Sequence, residues 1–488
     1  MAVRARLFPV LALALATGGC GGGDGPLGVA LVGDDGAFQS SGARLSPAAQ
    51  VVRAATVEGL VGLDAEGRVV PAIAERWIIT DDGQSYIFRL RDGTWPDGSH
   101  VTAETAAAAL RKAIAALHDT ALGLDLAPVD AVRVMTDRVI EINLSAPMPD
   151  FLTLLAQPEL GLPHAQRGSG PMGLRRAGMR ATLTLIAPEK RGLAAEEDFA
   201  RRSRPVALEV ESAQRAIERF NAGDVDLVLG GRVDSLPLAG AGGLTRGNVQ
   251  LDPVMGLFGV MVESGAGFLA EAPNREALAL AIDRDGLLAA FNIGGWQATT
   301  RVVSADVEDD SGSVAERWQG IAMDQRRQTA QQRVARWRAA GRPAPVLRIA
   351  MPGGPGSTLV FDHLKADFAQ IGVGLQRVPE NAAADLRLVD SVARYGRAVW
   401  FLNQLTCTVE PAACSETGDA RLEAARKAVA PADRAALLAQ AEAEITAANG
   451  YIPIARPMRW SLVRSRVTGF SPNPWGWHPL PPLARLPK

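Results

Sequence analysis

The chain has 488 residues, 47% of them hydrophobic and 21% charged, with a formal net charge of −2. That length is more than one ordinary core accommodates and calls for two or three bodies. The near-neutral balance argues against a nucleic-acid binder, whose phosphate contacts need a basic face. Arginines gather at Arg175, Arg176 and Arg180, and again at Arg201, Arg202 and Arg204, and both groups read as solvated faces.

The first residues read as an export signal. Arg4 and Arg6 form a basic start, and residues 7–16 form an apolar run too short to span a bilayer. Thr17-Gly18-Gly19-Cys20 follows and resembles a bacterial lipobox, with Thr17 where Leu is usual. The resemblance implies cleavage before Cys20 and a lipid anchor on its sulfur; ordinary cleavage near the alanines is the alternative. Residues 21–25 are glycine-rich and suit a flexible tether.

Residues 29–32 then read as a strand, and residues 46–60 as a helix carrying Val51, Val52, Ala55 and Leu60. Two strands are expected at 77–80 and 86–90, joined by a hairpin at Asp82-Gly83. Tyr86, Phe88 and Leu90 share one face by the two-residue period and should face a core. Turns follow at Arg91-Asp92-Gly93 and Pro96-Asp97-Gly98. Thr102 caps a helix whose first turn holds Glu104. Residues 130–144 read as two strands around a turn.

From Val206 the pattern becomes α/β. A strand at 206–210, a helix capped by Ser212 and ended by Gly223, and a strand at 225–229 make a βαβ unit with parallel strands. A buried-type strand follows at 258–261, and Asn274 is the expected cap of the next helix. Residues 314–340 read as an Arg-rich helical region. A second βαβ-type unit uses residues 346–351, a helix capped by Ser357, and residues 373–378. A late helix ends at Asn449-Gly450, and residues 451–454 and 460–463 close the fold as strands.

The order of these elements resembles the extracytoplasmic solute-binding proteins of ABC importers, family 5, the peptide, dipeptide and nickel class. The resemblance rests on Glu58-Gly59-Leu60, Pro71-Ala72-Ile73-Ala74, Trp77, Asp81-Asp82-Gly83, Leu90-Arg91-Asp92-Gly93, Trp95-Pro96-Asp97-Gly98 and Thr102-Ala103-Glu104. Gly168-Ser169-Gly170-Pro171 matches a later motif, with Met172 for its usual Tyr, and so do residues 222–227 and Ala281-Ile282-Asp283-Arg284. The resemblance implies an α/β, bilobal periplasmic-binding-protein fold of type II (cluster C) with an extra small α+β domain. The implied division is residues 1–19 as signal peptide, 20–26 as lipidated tether, and 58–159 as the small domain. Lobe I takes 27–57, 160–258 and 452–488, and lobe II takes 259–451.

Catalytic patterns are sparse. His100, His118, His164, His363 and His478 are scattered, without metal-protease spacing. Ser264 lacks the flanking glycine of a nucleophile elbow, and residues 353–357 lack the Gly-Lys-Ser/Thr ending of a nucleotide loop and read as a turn. No catalytic residue, metal site or cofactor is expected. In the oxidising compartment an export signal implies, Cys407 and Cys414 are expected as a disulfide, with free thiols or a metal site as alternatives.

The family's peptide binders carry an aspartate after a Gly-Trp-x-x-Asp stretch, which pairs with the ligand's ammonium. The stretch at residues 399–404 is similar, so the resemblance implies Trp400, Asn403 and Gln404 as ligand contacts. Asn403 cannot neutralise an ammonium, though it can donate and accept hydrogen bonds. Scarce tyrosines, three in the whole chain, weaken the peptide reading further. The expected function is capture of a small, peptide-like solute and its delivery to ABC permease subunits in the inner membrane. The expected protein is a periplasmic monomer, touching the membrane through its lipid anchor only and binding no nucleic acid. A non-transport envelope sensor or chaperone-like interaction protein is the alternative.

Overall fold

The computed structural model describes residues 25–38, 44–118, 120–165, 168–240 and 247–487. The expected export signal, Cys20 and most of the tether lie outside them.

Three larger sheets organise the described residues, beside a two-stranded one of Val61–Leu63 and Val69–Pro71. The first has seven strands in the order Val249–Asp252, Arg459–Val463, Leu227–Gly231, Leu27–Val32, Val206–Glu211, Arg180–Leu185 and Met172–Ala177. The second has five, in the order Gly374–Pro379, Val346–Met351, Leu386–Val392, Gly256–Val262 and Tyr451–Ala455. The third has four, in the order Ala74–Ile79, Ser85–Leu90, Val139–Leu144 and Val129–Thr136. The bodies around them are called lobe I, lobe II and the small domain. The architecture is the expected mixed α/β one with two lobes and an added small domain.

The chain passes between the lobe sheets twice, from Asp252 to Gly256 and from Ala455 to Arg459. The expected bounds after residues 258 and 451 thus fall inside strands Gly256–Val262 and Tyr451–Ala455, which both pair within lobe II. Gly256 has φ +151°, and a Cβ there would stand 2.0 Å from the Ser391 carbonyl oxygen. Only glycine lets the chain enter the second sheet so close to its neighbour.

Local chemistry explains the elements. Ser46 caps helix Pro47–Thr56, Thr102 caps helix Ala103–Ala116, and Ser212 caps helix Ala213–Ala222, which Gly223 ends at φ +88°. In the small domain Tyr86, Phe88 and Leu90 all lie in the core with Ile140 and Ile142 of the neighbouring strand. Strands Val206–Glu211 and Leu227–Gly231 are parallel as expected, but Leu27–Val32 lies between them, parallel to both. The N-terminal strand supplies the apolar partner each needs on its inner edge.

Two expected caps lie elsewhere. Asn274 sits inside helix Ala272–Ala281, buried, and Ser357 sits inside helix Pro355–Gln370, buried. Proline in the first turn of both helices permits an earlier start, since its missing N–H is not needed there. The Arg-rich region is helical over Met323–Ala339. The arginine groups divide. Arg180 pairs with Glu209 and Arg201 with Asp198 at the surface. Arg204, by contrast, is buried and donates to the Leu483 carbonyl of the C-terminal segment.

Candidate functional site

Near the crossing strands, within a core that both lobes share, one carboxylate joins the two lobes. Asp390, in lobe II strand Leu386–Val392, faces two cations of lobe I. Arg459 Nη1 donates to Asp390 Oδ1 at 2.6 Å, and Arg232 Nη2 donates to the Asp390 carbonyl at 2.9 Å, with its Nε 3.5 Å from Oδ2. Burial would raise the Asp390 carboxyl, but Arg459 and Arg232 outweigh it and hold it below the usual aspartate value. It is therefore ionised at neutral pH and acts as an interlobe latch.

A cavity of about 1270 Å³ lies between lobe I and the small domain. Helix Pro47–Thr56 and the Gly168–Leu174 segment wall one side; helix Ala103–Ala116 and the Trp95 turn wall the other. The Gly-Ser-Gly-Pro motif has a steric cause here. A Cβ on Gly168 would stand 2.0 Å from the Thr56 carbonyl oxygen, and one on Gly170 would stand 2.2 Å from the Thr56 carbonyl carbon. Trp95 is buried, donates from Nε1 to Thr105 Oγ1 at 3.1 Å, and stacks on His164.

Two charge clusters fix the cavity wall. Glu58 is buried and accepts from Arg91 Nη2 at 2.6 Å and from Arg191. Burial lowers the Arg191 guanidinium; Glu58 opposes this and the charge of Arg91 adds to it. At the second cluster all three bodies meet. Glu159 of the small domain accepts from Gln50 of lobe I at 2.9 Å and from both Nη atoms of lobe II Arg394 at 3.1 Å. Arg53 of lobe I is buried beside it, its guanidinium lowered by burial while Glu159 raises it.

A smaller cavity of about 390 Å³ lies between the small domain and lobe II, lined by Asp125, Met148, Asp309, Tyr395 and Arg426 among others. Asp125 Oδ1 accepts from Tyr395 at 2.8 Å and from Asn403 Nδ2 at 2.7 Å. Burial raises the Asp125 carboxyl to about 7, against these hydrogen bonds, which favour its charged form. The folded protein therefore holds a proton that the unfolded chain has lost. This contribution to stability is complete below pH 3.8, declines as pH rises, and is lost above about 7. In Asp125→Asn the fall in stability over that window should shrink by roughly 4 kcal/mol. Urea unfolding at a series of pH values checks this, and an unchanged slope contradicts it.

The residues expected at the ligand lie apart from the large cavity. Trp400 and Asn403 are 2% and 0% exposed on helix Ala398–Asn403, and Gln404 follows it, donating to the Trp400 carbonyl at 3.3 Å. Asn403 accepts from Arg426 Nη2 at 2.6 Å and so links it to Asp125 behind the smaller cavity. Cys407 and Cys414 form a disulfide with Cα atoms 5.1 Å apart. Sequence reasoning missed Arg53, Glu159, Asp390 and Arg394. The available signal was the alternation of Leu386 and Leu388 in a strand that runs toward Arg394.

Residues 68–199 match the model of bacterial extracellular solute-binding proteins, family 5 Middle. The probable deoxycholate-binding periplasmic protein YgiS of Escherichia coli (strain K12) is 39% identical over 126 residues. That match covers 22% of this chain and 24% of YgiS, about a quarter of the relative's length. OppA of Haemophilus influenzae, in complex with RPPGFSPFR, superposes with a TM-score of 0.81 at 18% identity, over 95% of this chain and 100% of that one. The murein tripeptide binding protein MppA of Escherichia coli gives 0.80 at 18% identity, over 95% and 99%. MppA in its unliganded open form gives 0.62 at 18% identity, over 94% and 97%. Residues 68–199 thus match the family 5 model, and the fold is shared along nearly the whole length of the chain with solute-binding proteins such as OppA and MppA.

Proposed function

We propose that this protein is an extracytoplasmic solute-binding lipoprotein, anchored through Cys20, that captures a small peptide-like solute and delivers it to an ABC importer. The single observation that carries this reading is the cavity of about 1270 Å³ between lobe I and the small domain. Such a volume exceeds the usual small-molecule pocket and leaves room for a solute of peptide size. Its wall meets lobe II through Glu159 and Arg394, so occupancy and lobe position are coupled there. Closure about two crossing segments needs bending at few residues. The latch at Asp390 and the weaker likeness to an open-form relative both favour a closed arrangement. Peptide-like ligands follow from the peptide named with OppA and the tripeptide in MppA's name.

Native mass spectrometry of protein purified from its own host tests the reading. The expected result is a mass increment, released on denaturation, that fragments as a peptide. A bound species of another chemical class contradicts the peptide reading, and an empty protein together with no uptake defect on deletion contradicts the transport reading.

A further inference from the structure

The large cavity is far more cationic than the chain that builds it. The whole chain carries −2, yet six of the seven charged residues lining the cavity are cations and Glu159 alone is a carboxylate. Pairing does not cancel the excess. Arg91 and Arg191 share the one carboxylate of Glu58. Glu159 already takes Arg394, with Arg53 beside it. Three further cations line the cavity, Lys112, Arg176 and Lys190, and among the described residues none of them has a carboxylate partner. Arg176 donates only to the Gly178 carbonyl and lies over the Phe38 ring.

Like charges gathered around one cavity repel one another and raise the positive potential inside it. That arrangement costs stability while the cavity holds only water, and an anion entering it relieves the cost. We propose that the cavity selects an anionic solute, in the peptide reading an acidic peptide, with Lys112, Arg176 and Lys190 meeting its carboxylates. This rests on the functional reading above for the site and for peptides, and adds the charge class.

The test is calorimetric titration at low salt with peptides of one length carrying Glu, Gln or Lys at the same positions. The intact protein should bind the Glu peptide about tenfold more tightly than the Gln peptide, and raising the salt should narrow the gap. The doubly substituted Lys112→Glu, Lys190→Glu protein should bind Glu and Gln peptides equally. Both lysines are exposed, and a thermal melt confirms folding. Equal or reversed preference in the intact protein overturns the charge assignment and leaves peptide capture standing. A uniform loss for all peptides in the variant also overturns it. If no peptide binds, the peptide reading fails, and dicarboxylates and sugar phosphates against matched neutral sugars decide the charge assignment alone. Preference for the anions supports it, and no preference or no binding overturns it.

Discussion

Asp390→Ala should destabilise the protein by about 3–5 kcal/mol, because it strands two guanidiniums at the lobe interface. Arg232 and Arg459 both come from lobe I and converge on this carboxylate of lobe II. Removing it leaves two partly buried guanidiniums with only the more distant Asp234 and Glu380 to offset them, a larger penalty than losing a surface pair. The lobes should also loosen, since among the described residues no other carboxylate lies within ion-pair distance of Arg232 or Arg459. Urea unfolding reads the first effect and small-angle scattering the second. In the intact protein the latch should persist down to the usual aspartate range. A lowered folded value gives stability that is present above pH 3.8 and lost as pH falls through that lowered value. A variant that is as stable as the intact protein, with the same scattering profile, would contradict the latch.

Glu58→Ala should cost a similar amount, about 3–5 kcal/mol, for the same physical reason. Glu58 is buried between Arg91 and Arg191, and Arg91 also donates from Nε to the Arg191 carbonyl at 2.6 Å. Alanine leaves both arginines unneutralised at the cavity wall. Glu58→Gln keeps an acceptor but not the charge, and should fall between the two. Loss of the Glu58 charge also leaves the cavity wall more cationic, so an anionic solute should bind at least as tightly in both variants while stability falls, because Arg91 and Arg191 line the cavity. Chemical denaturation and titration on the same samples check this. A glutamine variant as stable as the intact protein would show that the charge of Glu58 is unimportant.

The family motifs were legible because their residues serve local geometry and each other. Glu58 of one motif is ion-paired to Arg91 of another, and Trp95 of a third donates to Thr105 in the helix that Thr102 caps. Caps, turns and alternating apolar positions are set by neighbours in sequence, and there the expected elements largely match. Asn274 and Ser357 departed from expectation because a proline moved each helix start upstream. The proposed binding region was less legible. Trp400 and Asn403 matched a short pattern and lie on a buried helix apart from the large cavity proposed here as the site. The residues that join the three bodies, Gln50, Arg53, Glu159 and Arg394, are isolated polar residues far apart in the chain. Nothing local distinguishes them from surface residues, and only the tertiary fold makes them neighbours.

The most direct test compares the radius of gyration of protein stripped of solute by unfolding and refolding with that of the same protein after its native solute is restored. A contraction on restoring the solute, abolished in Asp390→Ala, is the expected result. An identical scattering profile in both states, with the solute demonstrably bound, would mean that the halves do not shut around their guest.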